Sequence, residues 1–564
     1  MKPLLSLLII LGLSGCATLP ENAQSGQAVF SHIQYDSQVP GLAKVTRPQY
    51  DNPILPGFYP DPSITRVGDD YYLINSSFAY YPGIPVWKSH DLVHWKQIGN
   101  AIDRPGMLDF SGLATSRGVF APAISHHDGL FYIINTCVDC GGNFVITAKD
   151  PAGPWSDPVW LPFGGIDPSI FWDDDGKSWI VWNDSPEGQP LYEGHRAIWI
   201  QQFDPIKQQM VGKKHVVVNG GVDITKKPVW IEGPHIYKVN GRYYLMAAEG
   251  GTSVNHSEVI LSSEKVGGPY VPYAGNPILT QRDLDPARPS PVTSAGHADL
   301  VQTPNGDWQA IFLAVQPYDG DLYNTGRETF MLPVTWQKDE KGIGWPVILP
   351  HGQSIPLMAD LPNLPGQLQE THYTRASHHF GYRYDNLAPL DWLQIRTPKS
   401  DFLTVFNNET VGLKALSEAV GDVKSHPAFI GLRQKHANAT FSTVVNYRPL
   451  AEGDRAGILA LQNDDFYIFF GLAMRDGKTV LEITRRAGPN DPRDGVVIAT
   501  LTAPSDPVSL HAEFTGGTAR FTYGPDAKNA TVAAENVDVT NLSTAKAGGF
   551  VGTIIGLYAS GKTP

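Results

Sequence analysis

A unit recurring five times between residues 61 and 313 limits what this chain can fold into more than any other feature. Each copy has a small or Pro-containing strand start, a turn with Gly, and an aromatic return strand. The copies are Asp61-Pro-Ser-Ile…Gly68…Tyr71-Tyr-Leu, Ala121-Pro-Ala-Ile…Gly129…Phe131-Tyr-Ile, Asp167-Pro-Ser-Ile…Gly176…Trp179-Ile, Gly233-Pro-His-Ile…Gly241…Tyr243-Tyr-Leu and His297-Ala-Asp-Leu…Gly306…Trp308. Each reads as a hairpin, with Asp, Asn or Gly at the tip and aromatic or β-branched residues on the return. Their starts lie about 45 to 65 residues apart, the length of a four-stranded sheet with its connections. Five such units suit a closed five-bladed β-propeller.

In a propeller the innermost strand of each blade begins near the axis, so residues distant in sequence meet there. The starts carry Asp61, the Phe120-Ala121 pair, Asp167, Glu232 and His297. An isolated Asp-Pro is usually a turn starter. Acids recurring at one position of successive repeats imply instead a cluster of carboxyls, whose mutual repulsion raises one another's pKa and is characteristic of a reacting centre. The run Asp173-Asp174-Asp175-Gly176 sits at a hairpin tip and reads as a turn.

The repeat stops after Trp345, and Pro356, Pro362 and Pro365 punctuate a stretch without strand pattern. A linker is therefore expected at 351–370, after a propeller at 48–350. From 371 to 564 short strands resume, such as Ala439-Thr-Phe-Ser-Thr-Val-Val-Asn-Tyr and Asp465-Phe-Tyr-Ile-Phe-Phe, which predicts a β-sandwich and an all-β chain of two domains. With a formal net charge of -13 there is no basic surface to grip a polyphosphate, so nucleic acid is not an expected partner.

At the N-terminus, Lys2 precedes an apolar run, Leu4 to Leu13, too short to span a bilayer stably. Leu13-Ser14-Gly15-Cys16 resembles the bacterial lipoprotein cleavage box, which implies a signal peptide over 1–16, lipidation of Cys16, and an outer-membrane lipoprotein of the cell envelope. Membrane contact is then expected only through that anchor. Residues 17–47 read as a tether. The other cysteines, Cys137 and Cys140, lack the second pair of a zinc ribbon and precede Gly141-Gly142 rather than a helix, leaving a loop disulfide or idle thiols.

Taken in order, Asn52-Pro-Ile-Leu…Tyr59-Pro-Asp-Pro-Ser-Ile, Gly118-Val-Phe-Ala-Pro-Ala, Gly165-Ile-Asp-Pro-Ser-Ile, Ile231-Glu-Gly-Pro-His, Gly296-His-Ala-Asp-Leu-Val and Gly326-Arg-Glu-Thr-Phe resemble family 43 of the glycoside hydrolases. The resemblance is to its branch of β-xylosidases and α-L-arabinofuranosidases with a C-terminal concanavalin-like, jelly-roll sandwich. It implies that Asp61 is the general base, Glu232 the general acid, and Asp167 the acid that orients Glu232 and raises its pKa. It further implies that His297 and Arg327 contact substrate and that Phe78 walls the sugar site. Many relatives have Trp where Phe120 stands, which bears on substrate preference rather than chemistry. The implied reaction requires no cofactor. In some relatives the equivalent of His297 helps hold a calcium or a water cluster, so a structural calcium stays open and no metal ligand is assigned.

The expectation is an exo-acting inverting hydrolase releasing terminal xylosyl or arabinofuranosyl units from xylo- or arabino-oligosaccharides. Two alternatives share the scaffold: a non-catalytic glycan-binding lipoprotein, which loss of an acid would favour, and an endo-acting arabinanase, which needs an open groove.

Overall fold

A computed structural model describes residues 26–38, 49–364, 381–384, 390–505, 507–524 and 529–562. The expected signal peptide and Cys16 lie outside the described residues.

Between residues 63 and 347 the chain forms five antiparallel sheets, three of four strands and two of five. Their innermost strands are Ser63–Val67, Ala123–His127, Ile166–Trp172, Glu232–Val239 and Thr293–Gln302. Each packs against the next, and the fifth packs against the first, so the ring of five blades closes. The five predicted repeats are these hairpins; Ser63 faces Ile74 and Val67 faces Asp70 in the first, for example. The second blade carries an extra short strand, Gly118–Val119, paired with Cys137 and Val138. Apolar residues fill the seams between neighbouring blades, as where Ile74, Val86, Phe131 and Ile146 meet in one buried cluster.

Ring closure draws on more than the repeats. Gln49–Asp51 pairs with Met358–Asp360, and Asn52 exchanges hydrogen bonds with the backbone of Met331 in the fifth blade. The stretch expected to be a featureless linker thus begins as part of the propeller. Ile355 and Leu364 are buried there.

The C-terminal region is a sandwich of an eight-stranded and a six-stranded sheet. The tether expected over residues 17–47 is corrected at its centre. Gln27–Gln38 is a strand of the eight-stranded sheet, between Thr410–Lys414 and Asn438–Asn446. Phe30, Ile33 and Tyr35 are buried while Gln34, Asp36 and Gln38 face outward, the period-two pattern of a half-buried strand.

The six-stranded sheet is covered on both faces. Ile458, Ile468 and Phe470 point into the sandwich core. Leu459, Leu461, Tyr467 and Phe469 point the other way, into a cluster that includes Phe58, Phe78 and Tyr80 of the propeller. A strand buried on both faces reads as a continuous apolar run, which explains Phe466-Tyr-Ile-Phe-Phe. Polar ties cross the same seam: the Lys435 ammonium donates to the Tyr59 hydroxyl at 2.7 Å, and Arg396 pairs with Asp464 at 2.6 Å while donating to the Leu113 carbonyl.

Candidate active site

The inner strands deliver their first residues to one cavity because they begin irregularly. Register shifts fall between Ile166 and Ser169, between Glu232 and His235, and between Gly296 and Asp299. Such bulges re-aim side chains out of the regular pleat. Asp61, Asp167 and His297 have φ of 50°, 54° and 52°, backbone that Asp and His adopt more readily than most residues. Gly233 stands against the His297 ring, where a Cβ would lie 2.7 Å from Nε2. Only glycine allows the fourth and fifth blades to approach so closely at this level.

Asp61, Asp167, Glu232 and His297 consequently line one cavity of about 390 Å³. Phe78, Phe120 and Arg327 line it too, so every propeller residue singled out for the site is brought together. The sequence reading did not include Phe550, which reaches in from the sandwich. Its ring stacks on Phe78 at 5.8 Å and meets Phe120 edge-on at 5.7 Å. Arg117 and Trp230 also line the cavity, and Ser76 supports Asp61 from beside it. The glycines of Gly548-Gly549-Phe550-Val551-Gly552 signal a close approach, but not the surface approached.

The three acids occupy different electrostatic surroundings. Burial alone would raise the Asp61 carboxyl. It is outweighed by Arg327, whose Nη1 and Nη2 donate to the two carboxylate oxygens at 2.5 and 3.2 Å, and by the Ser76 hydroxyl, so Asp61 is held below its ordinary range. The Nδ1 of His297 stands 3.9 Å from the same carboxylate. Burial pushes that imidazole down to about 4, so it is neutral near pH 7 and the charge holding Asp61 ionised belongs to Arg327.

Glu232 is pushed up to about 7, first by burial and then by the Asp61 charge. Asp167 is also raised well above its ordinary value, by burial first and then by Glu232 and Asp61. Asp167 is therefore not a permanently ionised neighbour. The two carboxyls titrate as a pair, each costlier to ionise while the other is charged, and the pair retains a proton into the neutral range.

Calcium takes six to eight oxygen ligands. Near His297, Asp299 already accepts from Ser63, the Ile64 amide and Tyr237. Among the described residues no group of three His, Cys, Asp or Glu side chains is arranged for a metal. A calcium here would draw nearly all its ligands from water, and the chemistry below involves none.

An ionised carboxylate, a carboxyl protonated near neutrality, a buried guanidinium and four aromatic side chains around one small cavity can move a proton to a leaving oxygen and activate water opposite it. Comparison with known proteins agrees with this chemistry. Residues 50–345 match the family model described as glycosyl hydrolases family 43, and 384–564 match the beta xylosidase C-terminal concanavalin A-like domain. The chain is 37% identical over 522 residues to a xylosidase/arabinosidase of Butyrivibrio fibrisolvens, covering 91% of this chain and 96% of the relative. It is 36% identical over 520 residues to a non-reducing end alpha-L-arabinofuranosidase of Bacteroides ovatus, covering 91% and 92%. A crystal structure of a family 43 protein retrieved from a capybara gut metagenome superposes with a TM-score of 0.84 at 37% identity, covering 94% of this chain and 99% of that one. Both domains, in this order and over nearly the full length of these relatives, place the chain in family 43 of the glycosyl hydrolases.

Proposed function

We propose that this glycoside hydrolase is exo-acting and inverting, and that it releases single terminal pentosyl units, β-D-xylosyl or α-L-arabinofuranosyl, from hemicellulose oligosaccharides. The observation that carries the reading is the split between Asp61, held ionised by Arg327, and Glu232, held protonated by burial and charge, within one confined cavity. In this mechanism Asp61 takes a proton from water as its oxygen attacks the anomeric carbon. The bond to the leaving oxygen breaks as Glu232 gives that oxygen its proton. Two carboxyls acting on opposite faces of the sugar invert the anomeric centre. Asp167, which accepts from the Gly233 amide, keeps the proton of the pair available to Glu232. Arg327 has a second role in donating to sugar hydroxyls, and Phe78, Phe120 and Phe550 exclude water around the reacting centre. The size of the cavity and the names of the relatives, xylosidase and arabinofuranosidase, support a terminal pentose over internal cleavage of a long chain. The Leu13-Ser14-Gly15-Cys16 box supports an envelope lipoprotein anchored through Cys16.

The test is the initial rate on an aryl β-D-xyloside and an aryl α-L-arabinofuranoside, with Glu232→Ala alongside. Cleavage of either identifies the sugar. Loss in Glu232→Ala should be at least about a hundredfold greater for a poor leaving group than for an activated aryl one, because only the poor one needs the proton. No cleavage of aryl glycosides or natural oligosaccharides by the unmodified protein would leave the glycan-binding reading in its place.

A further inference from the structure

One cation at the cavity mouth has no part in the chemistry above. Arg117 lines the cavity with its side chain 41% exposed, and its Nε donates to the Asp139 carboxylate at 2.6 Å. Among the described residues neither Nη nitrogen has a hydrogen-bonding partner, and the guanidinium stands 5.9 Å from the Phe120 ring. The group is thus oriented through one nitrogen and presents the other two at the mouth.

Its anchor is itself built. Asp139 has φ of 64° and lies inside the turn closed by the Cys137–Cys140 disulfide. That disulfide is the outcome for the two cysteines that the sequence left open. Cys137 is fully buried and pairs with Val119, Val138 pairs with Gly118, and the Phe120 amide donates to the Thr136 carbonyl at 3.1 Å. The cross-linked turn therefore backs the whole segment from Arg117 to Phe120, both ends of which line the cavity. Ser116, one residue earlier, accepts the Phe550 amide at 2.9 Å. The Arg117 hydrogen bond also holds Asp139 below its ordinary range, so the anchor is charged throughout the neutral range.

We propose that Arg117 recognises the departing part of the substrate, its Nη groups donating to hydroxyls of the sugar beyond the scissile bond, and that the disulfide-closed turn positions it there through Asp139. The ligand class is a neutral sugar, because Asp139 already balances the guanidinium charge and polar donors remain. This inference rests on the glycosidase reading. Arg117 is a contact residue for the leaving group; Asp139 and the disulfide are positioning elements.

The experiment compares two substrates with the same pentose, a disaccharide and the corresponding pentosyl fluoride, whose leaving group has no hydroxyls. In Arg117→Ala the loss of kcat/KM should be about tenfold larger on the disaccharide than on the fluoride, and should fall mainly on KM. Asp139→Asn, which tolerates the same backbone, should show the same bias at reduced size. Reductant should reproduce the bias in the unmodified enzyme and add nothing in a Cys137→Ser/Cys140→Ser double variant. Equal losses on both substrates would mean a structural role and would overturn the proposal, as would an unchanged disaccharide KM. A parent enzyme that cleaved neither substrate would instead remove the glycosidase reading on which it rests.

Discussion

Protons at this site are divided by what each carboxyl touches. Asp61 is buried as deeply as its neighbours, yet two guanidinium hydrogen bonds keep it charged, while burial and the Asp61 charge raise both Glu232 and Asp167. The sign of the pH dependence follows. Glu232 acts as a donor only while protonated and is held to about 7, so kcat/KM should fall as pH rises through about 7. Asp61 acts only while ionised and is held below its ordinary range, so it should impose no acid limb above about pH 4. Asp167→Asn removes the second carboxyl of the pair with which Glu232 titrates and should move the alkaline limb to lower pH. A pH profile whose limb stayed in place in that variant would separate Asp167 from the proton of the pair. Elsewhere Glu328, with one oxygen on the Gly57 amide, is pushed up to about 8 by burial. It stays protonated in the folded protein after the unfolded chain has ionised near 4.5, so its contribution to stability is full below that pH and is lost as pH rises toward 8. Denaturant titrations across this window should show a downward slope, and Glu328→Gln should remove about one proton's share of it.

Strands tell a different story depending on where their partners lie. Each inner blade strand pairs with the next strand along the chain, so the repeat is visible as local punctuation and the acids at its starts can be grouped from the sequence alone. The strand Gln27–Gln38 has partners more than 300 residues away, and only its second half, Ile33-Gln-Tyr-Asp, alternates cleanly. A short alternation far from any partner is indistinguishable in sequence from a tether. The Phe466-Tyr-Ile-Phe-Phe run identified a strand but not that its second face lies on the propeller, since burial on both sides depends on domain docking. If Gln27–Gln38 is an integral strand, truncating its buried aromatic Phe30 should destabilise the sandwich as a core change does. Phe30→Ala should cost about 3–5 kcal/mol in denaturant unfolding, where the same change in a tether would cost nothing measurable.

At the scale of the whole molecule the site is finished by docking rather than by either domain. The loop that carries Phe550 is fixed at several points: its Phe550 amide on Ser116, its Thr553 amide on the Asn324 carbonyl at 2.8 Å, and the Thr544 amide on the Tyr323 carbonyl at 3.1 Å. Between them Gly552 lies against Gly326, the residue before Arg327. A Cβ on Gly552 would come 2.7 Å from the Thr325 carbonyl oxygen and 2.9 Å from the Gly326 nitrogen, all rigid backbone. Gly552→Ala must therefore push the loop and the propeller apart, moving Phe550 on one side and Arg327 on the other. Displacements near 1 Å at such positions cost about a hundredfold in rate, because they spoil alignment without removing a group. Gly552→Ala should lose about a hundredfold in kcat/KM while circular dichroism and the denaturant midpoint change little, since both domain cores remain intact. Gly548→Ala is the matched comparison: it lies in the same loop with open space around its Cβ position, so the strain is confined to its own backbone, at φ 72° and ψ −175°, and activity should fall far less. Equal effects of the two substitutions would mean that the loop tolerates displacement, and that the sandwich contributes to this enzyme by stabilising the propeller rather than by completing its site.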